Sequence, residues 1–346
     1  MNWPELLSSL VRGEDQPMTA TAWAMGQILN GDATPAQIAA FVIGLRCKGE
    51  TVAELTGLAD VMIEFATPIE IGGPAVDVVG SGGDRSNTVN ISTMAAIVAA
   101  AAGAKVVKHG NRAASSACGA ADVLEALGVV LDLTPGVQQR VVDQVGIGFL
   151  FAAYYHPALR YAGPTRRELG IPTTFNFLGP LANPAQPISQ AVGVADPRMA
   201  ELMAEVFASR GNYGLVLHGG DGLDELTTTT SSTVWVYADG DVERTELDPL
   251  QLGVPRADLA DLVGGDAARN AQAVRDVVAG KPGPIRDVVA LNAAAALVAY
   301  GKPAATRLEE DFAQELGRAQ EAIESGAAQT KLQEWVEATN LCAESG

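Results

Sequence analysis

Apolar positions recur at helical spacing through about the first 70 residues. Ile38, Phe41, Val42 and Leu45 stand at i, i+3, i+4 and i+7. Ahead of them Thr34-Pro35-Ala36-Gln37 offers an N-cap, a proline at the first helical position and the Gln of a capping box. The pattern restarts at Thr51, with Glu54 three residues on and Val52, Leu55, Ala59 and Met62 on one face. Two capped stretches parted by Lys48-Gly49-Glu50 predict a helical hairpin, and Trp23, Met25 and Ile28 predict a further helix before it.

The texture changes at Ile71-Gly72-Gly73-Pro74. A short run, Val76 to Val79, ends in a glycine-rich loop and is followed by an Ala-rich helical stretch from about Ser92. Lys105 to Lys108 reads as the next strand, then a polar loop, then a helix around Ala121 to Leu127. Further strands are predicted at Gly148–Ala152, Gln190–Ala195, Gly214–His218 and Thr233–Ala238, most of them separated by helical stretches. Strand–loop–helix alternation points to an α/β fold with a largely parallel sheet covered by helices. From about Ala257 the chain is helix-rich again, and Ala293–Ala299 reads as a buried, Ala-packed helix. The Thr227–Thr230 run is read as the approach to a strand.

Charge narrows the function. The 346 residues carry 23 Lys and Arg against 41 Asp and Glu, a formal net charge of −18. That balance argues against general binding of nucleic acid or anionic membranes, which need a basic surface. Three cysteines, Cys47, Cys118 and Cys342, have no CxxC spacing, so neither a disulfide framework nor a zinc site is expected. The start, MNWPELLSSL, lacks a basic, apolar leader, and the most apolar run, Met94–Ala104, is shorter than the ~18–20 residues of a bilayer span. The expectation is a soluble, cytoplasmic protein.

Five segments could carry chemistry. Gly80-Ser81-Gly82-Gly83-Asp84 follows a strand directly, and its glycines let backbone N–H groups approach an anion closely. It has neither the GK[ST] ending of a P-loop nor dinucleotide-fingerprint spacing, and a plain tight turn is the bland alternative. Asn90-Ile91-Ser92-Thr93 opens the next helix; these are ordinary cap residues, and they are also suited to a phosphate at a helix N-terminus. Lys108 through Ser116 reads as a loop of two cations, a His, an amide and hydroxyls in an acidic protein, at the carboxyl rim where α/β sheets bind ligands. Asp224 and Glu225, past another strand, are surface charge or oxygen ligands for Mg²⁺; Asp221 comes earlier in that loop and is the weaker candidate. Arg166-Arg167, after His156-Pro157, could grip an organic carboxylate. No GxSxG nucleophile elbow is present. Phosphate cradles, a carboxylate pair and a separate Arg suit a diphosphorylated sugar and a carboxylated acceptor.

In these residues the chain resembles the anthranilate phosphoribosyltransferase family of tryptophan biosynthesis, which has the nucleoside-phosphorylase-like fold. The matching strings are VDVVGSGGD (76–84), NIST (90–93), KHGNRAASS (108–116), ADVLEALG (121–128), FNFLGPLANPA (175–185) and GLDE (222–225), with KGET (48–51) in the helical segment. The resemblance implies a small N-terminal α-helical domain (1–72, completed by part of 166–190) hinged to a larger α/β domain (73–346) with a mostly parallel central sheet, and a homodimer. It implies a phosphoribosyl pyrophosphate site at Gly80, Gly83, Asp84, Thr88, Asn90, Ile91, Ser92, Thr93, Lys108, His109, Gly110, Asn111, Arg112, Ala113, Ala114, Ser115, Ser116 and Ala120. Anthranilate would meet Gly80, Asn111 and Arg166, with His109 and His156 behind them. Ser92, Asp224 and Glu225 would bind Mg²⁺, two ions per subunit, with Glu225 shared. Ser81 keeps the hydroxyl of the family's more usual Thr; Pro172 stands where the family commonly has Arg, and Ala120 where it often has Ser. The alternatives weighed against this are a pyrimidine nucleoside phosphorylase of the same fold, which would need no metal pair, and a nucleic-acid-binding relative, which would need a basic groove.

Overall fold

The structure, a computed structural model, describes residues 1–113 and 117–344. Four helices come first: α1 (Trp3–Val11), α2 (Met18–Leu29), α3 (Pro35–Lys48) and α4 (Val52–Glu64). The two anticipated capping boxes are formed: Thr34 with Gln37 starts α3, and Thr51 with Glu54 starts α4. Glu54 is wholly buried, yet it accepts from the Thr51 and Gln16 amides and pairs with Lys48 at 3.1 Å. Ile38, Phe41, Val42 and Leu45 all face inward, as their spacing requires.

The remainder builds a seven-stranded sheet from β1 (Val76–Gly80), β2 (Val106–Gly110), β3 (Ile147–Phe151), β4 (Ser189–Gly193), β5 (Tyr213–Gly219), β6 (Ser232–Ala238) and β7 (Asp241–Leu247), in the order β3-β2-β1-β4-β5-β6-β7. The first five run parallel, and β6 and β7 extend the edge as an antiparallel hairpin. Strands β1 to β6 stand where the sequence pattern predicts strands, and β7 does not. Only Leu247 of that strand is buried, so β7 lacks the apolar signature of its neighbours. The Asp239-Gly240 pair before it, with φ of 54° and 89°, is the hairpin turn that marks it.

Helices between and after the strands are α5 (Ile91–Ala101), α6 (Ala120–Leu127), α7 (Pro135–Val145), α8 (Ala152–Tyr155), α9 (Gly163–Leu169), α10 (Phe175–Leu178), α11 (Pro197–Ser209), α12 (Ala267–Val278), α13 (Pro284–Tyr300), α14 (Leu308–Glu324) and α15 (Ala327–Glu344). Two hydrophobic cores flank the sheet. On one side the alanines of α5 and α13 let those helices pack tightly together and against β1, with α7, α12, α14 and α15 outside. On the other, α11 and the segment around Phe175 and Leu181 share a core with α1 to α4. The N-terminal helices are thus seated on the sheet through apolar contact as well as through the short link at Gly72-Gly73.

Candidate active site

The carboxyl ends of β1, β2 and β5 turn toward one cleft of about 310 Å³. In it meet the 80–90 loop, the described part of the 110–119 loop, Arg166 and the Asp224-Glu225 pair. The cleft lies where strand order reverses around β1, between its neighbours β2 and β4, the usual switch point for ligands in such sheets. Of the anticipated residues, Gly80, Gly83, Asp84, Thr88, Asn90, Ser92, Lys108, His109, Gly110, Asn111, Arg112, Ala113 and Ala120 line it. Ile91 and Thr93 are buried behind it in the first turn of α5, and Ala114, Ser115 and Ser116 lie outside the described residues.

The acidic centre is larger than the carboxylate pair. Asp84, Asp224 and Glu225 each bring a carboxylate oxygen within 4.8 Å of the others. Burial pushes Asp224 up to about 6 and Glu225 well above the usual carboxylate range, each reinforced by its acidic neighbours. Glu225 Oε2 is buried without a hydrogen-bond partner. Three mutually repelling carboxylates with an orphaned oxygen are a set of hard donors short of positive charge, so the residues present fit Mg²⁺. Asp221, the weaker candidate, is turned away and accepts from the hydroxyls of Thr227 and Thr229.

Backbone geometry explains two of the glycines. A Cβ on Gly80 would stand 2.2 Å from Asp224 Oδ2, and one on Gly193 would meet the Asp224 carbonyl. Both strands must therefore end in glycine to admit the acidic loop. The Gly82 amide donates to Asp224 Oδ2 at 2.6 Å, so that N–H serves the carboxylate and is not free for a phosphate, as the glycine loop had suggested. Arg85 and Asn87 in the same loop have positive φ, 60° and 51°. A strained backbone at such a position is characteristic of ligand-binding turns.

Three further expectations need correction. Asn90 stands at the N-cap of α5 but makes no cap bond. Its Nδ2 donates to the Cys118 carbonyl at 3.1 Å and its Oδ1 accepts from Asn270 at 2.9 Å. Lys108 lies in a strand, as its place at the end of the Lys105–Lys108 run predicted, but β2 runs on through His109 and Gly110 before the loop begins, and Lys108 is 1% exposed. The Lys108 ammonium donates to the Val78 carbonyl at 2.5 Å and to Ser92 Oγ at 3.1 Å; burial lowers its pKa to about 8, against the pull of Asp77, Glu225 and Asp224. Arg112 is not a free cation at the site. It pairs with Asp122 at 3.0 Å and Glu125 of α6 and lies over the Phe151 ring.

On the opposite wall, Arg166 of α9 rests over the Phe175 ring, 5.5 Å from its centroid, and among the described residues it has no ion pair. Burial lowers its pKa from the usual guanidinium value. His109 and His156 lie with ring centroids 5.3 Å apart. Burial, reinforced by His156, holds His109 near 3, and burial also lowers His156, whose Nε2 bonds the Ala182 carbonyl at 2.9 Å. Both rings are neutral at pH 7. The cleft widens past Asn111, Arg166 and Pro172 into an outer opening of about 690 Å³. Asn176 lines both spaces. It sits in the FNFLGPLANPA string, but nothing in that string marked it for a role.

Comparison with known proteins follows the same lines. Residues 4–66 match the helical bundle domain of a glycosyl transferase family, and residues 72–329 match its a/b domain. Anthranilate phosphoribosyltransferase of Thermobifida fusca is 55% identical over 341 residues, covering 99% of this chain and 98% of that protein. The crystal structure of anthranilate phosphoribosyltransferase from Thermus thermophilus superposes with a TM-score of 0.89 at 38% identity, over 97% of this chain and 99% of that one. The Saccharomyces cerevisiae enzyme, solved in complex with PRPP and Mg, gives a TM-score of 0.83 at 25% identity, over 93% of this chain and 92% of that one. No helix among the described residues is long and apolar enough to cross a membrane.

Proposed function

Because the chain belongs to the anthranilate phosphoribosyltransferases, within the glycosyl transferase family, we propose that its rim cleft divides into a donor half, a metal centre and an acceptor half. The reaction moves the 5-phosphoribosyl group from phosphoribosyl pyrophosphate to the amine of anthranilate, giving N-(5-phosphoribosyl)anthranilate and pyrophosphate in tryptophan biosynthesis. This sets aside the phosphorylase and nucleic-acid-binding alternatives.

In the donor half, the first turn of α5 has no side-chain cap, so the Ser92 and Thr93 amides and the helix dipole face the phosphate groups. Lys108 adds one buried positive charge behind them. Asp84, Asp224 and Glu225, with Ser92 Oγ beside them, would hold Mg²⁺, and two ions sharing Glu225 would suit three carboxylates. Bound there, the metal supplies Lewis-acid stabilisation of charge on the leaving pyrophosphate. In the acceptor half, Arg166 meets the anthranilate carboxylate, Asn111 stands between the two halves, and the neutral His109–His156 pair lies at the rear.

The aromatic amine is neutral near pH 7, so attack needs no strong base. The demanding event is cleavage of the C1–O bond, which builds positive charge on the ribose and negative charge on the departing diphosphate. The chain's contribution is preorganisation: fixed dipoles at α5, a fixed carboxylate cluster, and an Arg already desolvated on Phe175. One observation carries this reading: the three-carboxylate cluster, the uncapped end of α5 and Arg166, which has no ion pair among the described residues, line one cleft.

The helical domain, 1–72 with part of 166–190, and the α/β domain are proposed to close on each other about Gly72-Gly73. The packing of α9 on α3 and of α10 on α4 supports counting the later segment with the former. A homodimer in the cytoplasm completes the proposal; exposed Val11 and Met18 on the helical side supply apolar surface for the contact, and light scattering tests it. The test of function is the loss of anthranilate fluorescence with phosphoribosyl pyrophosphate and Mg²⁺. Activity that requires both supports the reading, and phosphate-dependent nucleoside cleavage in its place overturns it.

A further inference from the structure

We propose that Asn270, on α12, is a positioning residue that keeps the N-terminus of α5 open for the donor by holding the Asn90 side chain away from it. The inference rests on the reading that this helix end receives the donor's phosphate groups.

Asparagine is among the best N-cap residues, because its side-chain oxygen reaches the amide two or three positions on. Asn90 occupies that position and does not use it. Its oxygen is taken by Asn270 Nδ2 at 2.9 Å, and its own Nδ2 by the Cys118 carbonyl at 3.1 Å. Asn270 is itself fixed: it is 2% exposed, its Oδ1 accepts from the Gly265 amide at 2.8 Å, and the Cys118 thiol is also within its reach. A Cβ at Gly264 would stand 2.7 Å from that oxygen, so the turn before α12 is shaped around this amide.

The same turn is strapped to the entrance of α5. Val89 N donates to the Leu262 carbonyl at 2.9 Å, Gly264 N to the Asn87 carbonyl at 2.8 Å, and Thr88 bridges Val263. Segment 262–270 therefore sets both the path of the chain into the helix and the direction of its cap residue. A capping bond and a bound phosphate oxygen need the same amides, so they compete. Holding the Asn90 oxygen elsewhere removes the intramolecular competitor before the donor arrives.

Asn270→Leu keeps the branched outline of the side chain and deletes both its donor and its acceptor. The Asn90 oxygen is then released to cap α5. Donor affinity, measured by isothermal titration calorimetry with phosphoribosyl pyrophosphate and Mg²⁺, is expected to fall about fivefold, the factor one capping bond is worth. KM for the donor rises to match and kcat stays within about twofold, while the melting temperature falls by a few degrees because the Gly265 amide loses its acceptor. In an Asn90→Ala background the same substitution is expected to cost nothing further, because no side chain remains to be released. Asn270→Ala, a good helix former, repeats the measurement if the Leu variant does not fold.

Wild-type donor affinity in a folded Asn270 variant overturns the inference. So does an equal loss in the Asn90→Ala background, which would make the effect merely structural. A wild-type chain that binds no donor at all overturns instead the functional reading beneath it.

Discussion

Gly80→Ala adds one methyl group at the end of β1, where the structure leaves no room for it. The new carbon would sit 2.2 Å from Asp224 Oδ2, 3.1 Å from its Cγ and 3.4 Å from its carbonyl oxygen. Ordinary contact needs roughly 1 Å more separation from the carboxylate oxygen. Strand β1 is hydrogen-bonded between β2 and β4, so the side chain of Asp224 must give way. Its Oδ2 then leaves the Gly82 amide, and the cluster with Asp84 and Glu225 opens. Overpacking of this kind costs about 1–3 kcal/mol of stability. Losing one preorganised interaction at a transition state costs about 2.7–4 kcal/mol in kcat, a hundredfold or more. Gly80 has no positive φ, so the backbone adds no strain of its own.

The expected outcome is therefore a folded protein whose melting temperature falls by a few degrees and whose turnover at saturating donor, anthranilate and Mg²⁺ falls at least a hundredfold. Continuous anthranilate fluorescence gives the rate and circular dichroism the stability. Gly136→Ala, on α7 with open space around the added methyl, is the control and should leave turnover unchanged while holding or slightly raising the melting temperature. A folded Gly80→Ala enzyme within threefold of wild-type turnover would refute the argument that Asp224 must stand where it does.

Asp224→Asn combined with Glu225→Gln should lower turnover by at least a hundredfold while leaving metal-free stability unchanged or raised, because two buried, repelling carboxylates are neutralised; thermal melts in chelator beside steady-state rates check both halves. Arg166→Lys should raise KM for anthranilate about tenfold with KM for the donor unmoved, since a point charge replaces a planar fork; equal changes in both constants would argue against the acceptor role. His109, held near pH 3 by burial, refuses a proton that the unfolded chain accepts below about 6.5, so its contribution to stability is present above pH 6.5 and is lost as pH falls toward 3. Between pH 6.5 and 5 this amounts to about 2 kcal/mol, which His109→Asn should remove from the slope of urea-unfolding stability against pH. Asp77, raised to about 6 by burial, runs the opposite way and is common to both proteins, so an unchanged slope in the variant would contradict the assignment.

Local order was written plainly along the chain. Thr34 and Gln37, or Thr51 and Glu54, lie three residues apart, and their capping boxes form from contacts within a single turn. The runs of β1 to β6 are legible because strands buried on both faces are mostly apolar, with Asp77, Lys108 and Gln190 as buried exceptions. The exposed β7 is not, and only its Asp-Gly turn betrays it. The loops that carry chemistry were legible through several such segments together, since glycine, hydroxyl and amide residues past one strand serve equally as turns and caps.

What each side chain in those loops does was decided by partners remote in sequence. Gly82 and Asp224 meet across 142 positions because β1 and β5 flank β4 in the sheet, and that meeting gives the Gly82 amide to a carboxylate and makes Asp84 the third member of the acidic cluster. Asn90 reads equally as a cap or a phosphate residue until α12 supplies Asn270, Arg112 reads as an unpaired cation until α6 supplies Glu125, and His109 reads as a loop residue until β2 carries it into the interior. Short-range spacing sets which backbone conformation is cheapest at each point. Hydrogen bonding and charge pairing in a low-dielectric interior depend on who the neighbours are, and only the packed sheet and its helices choose those.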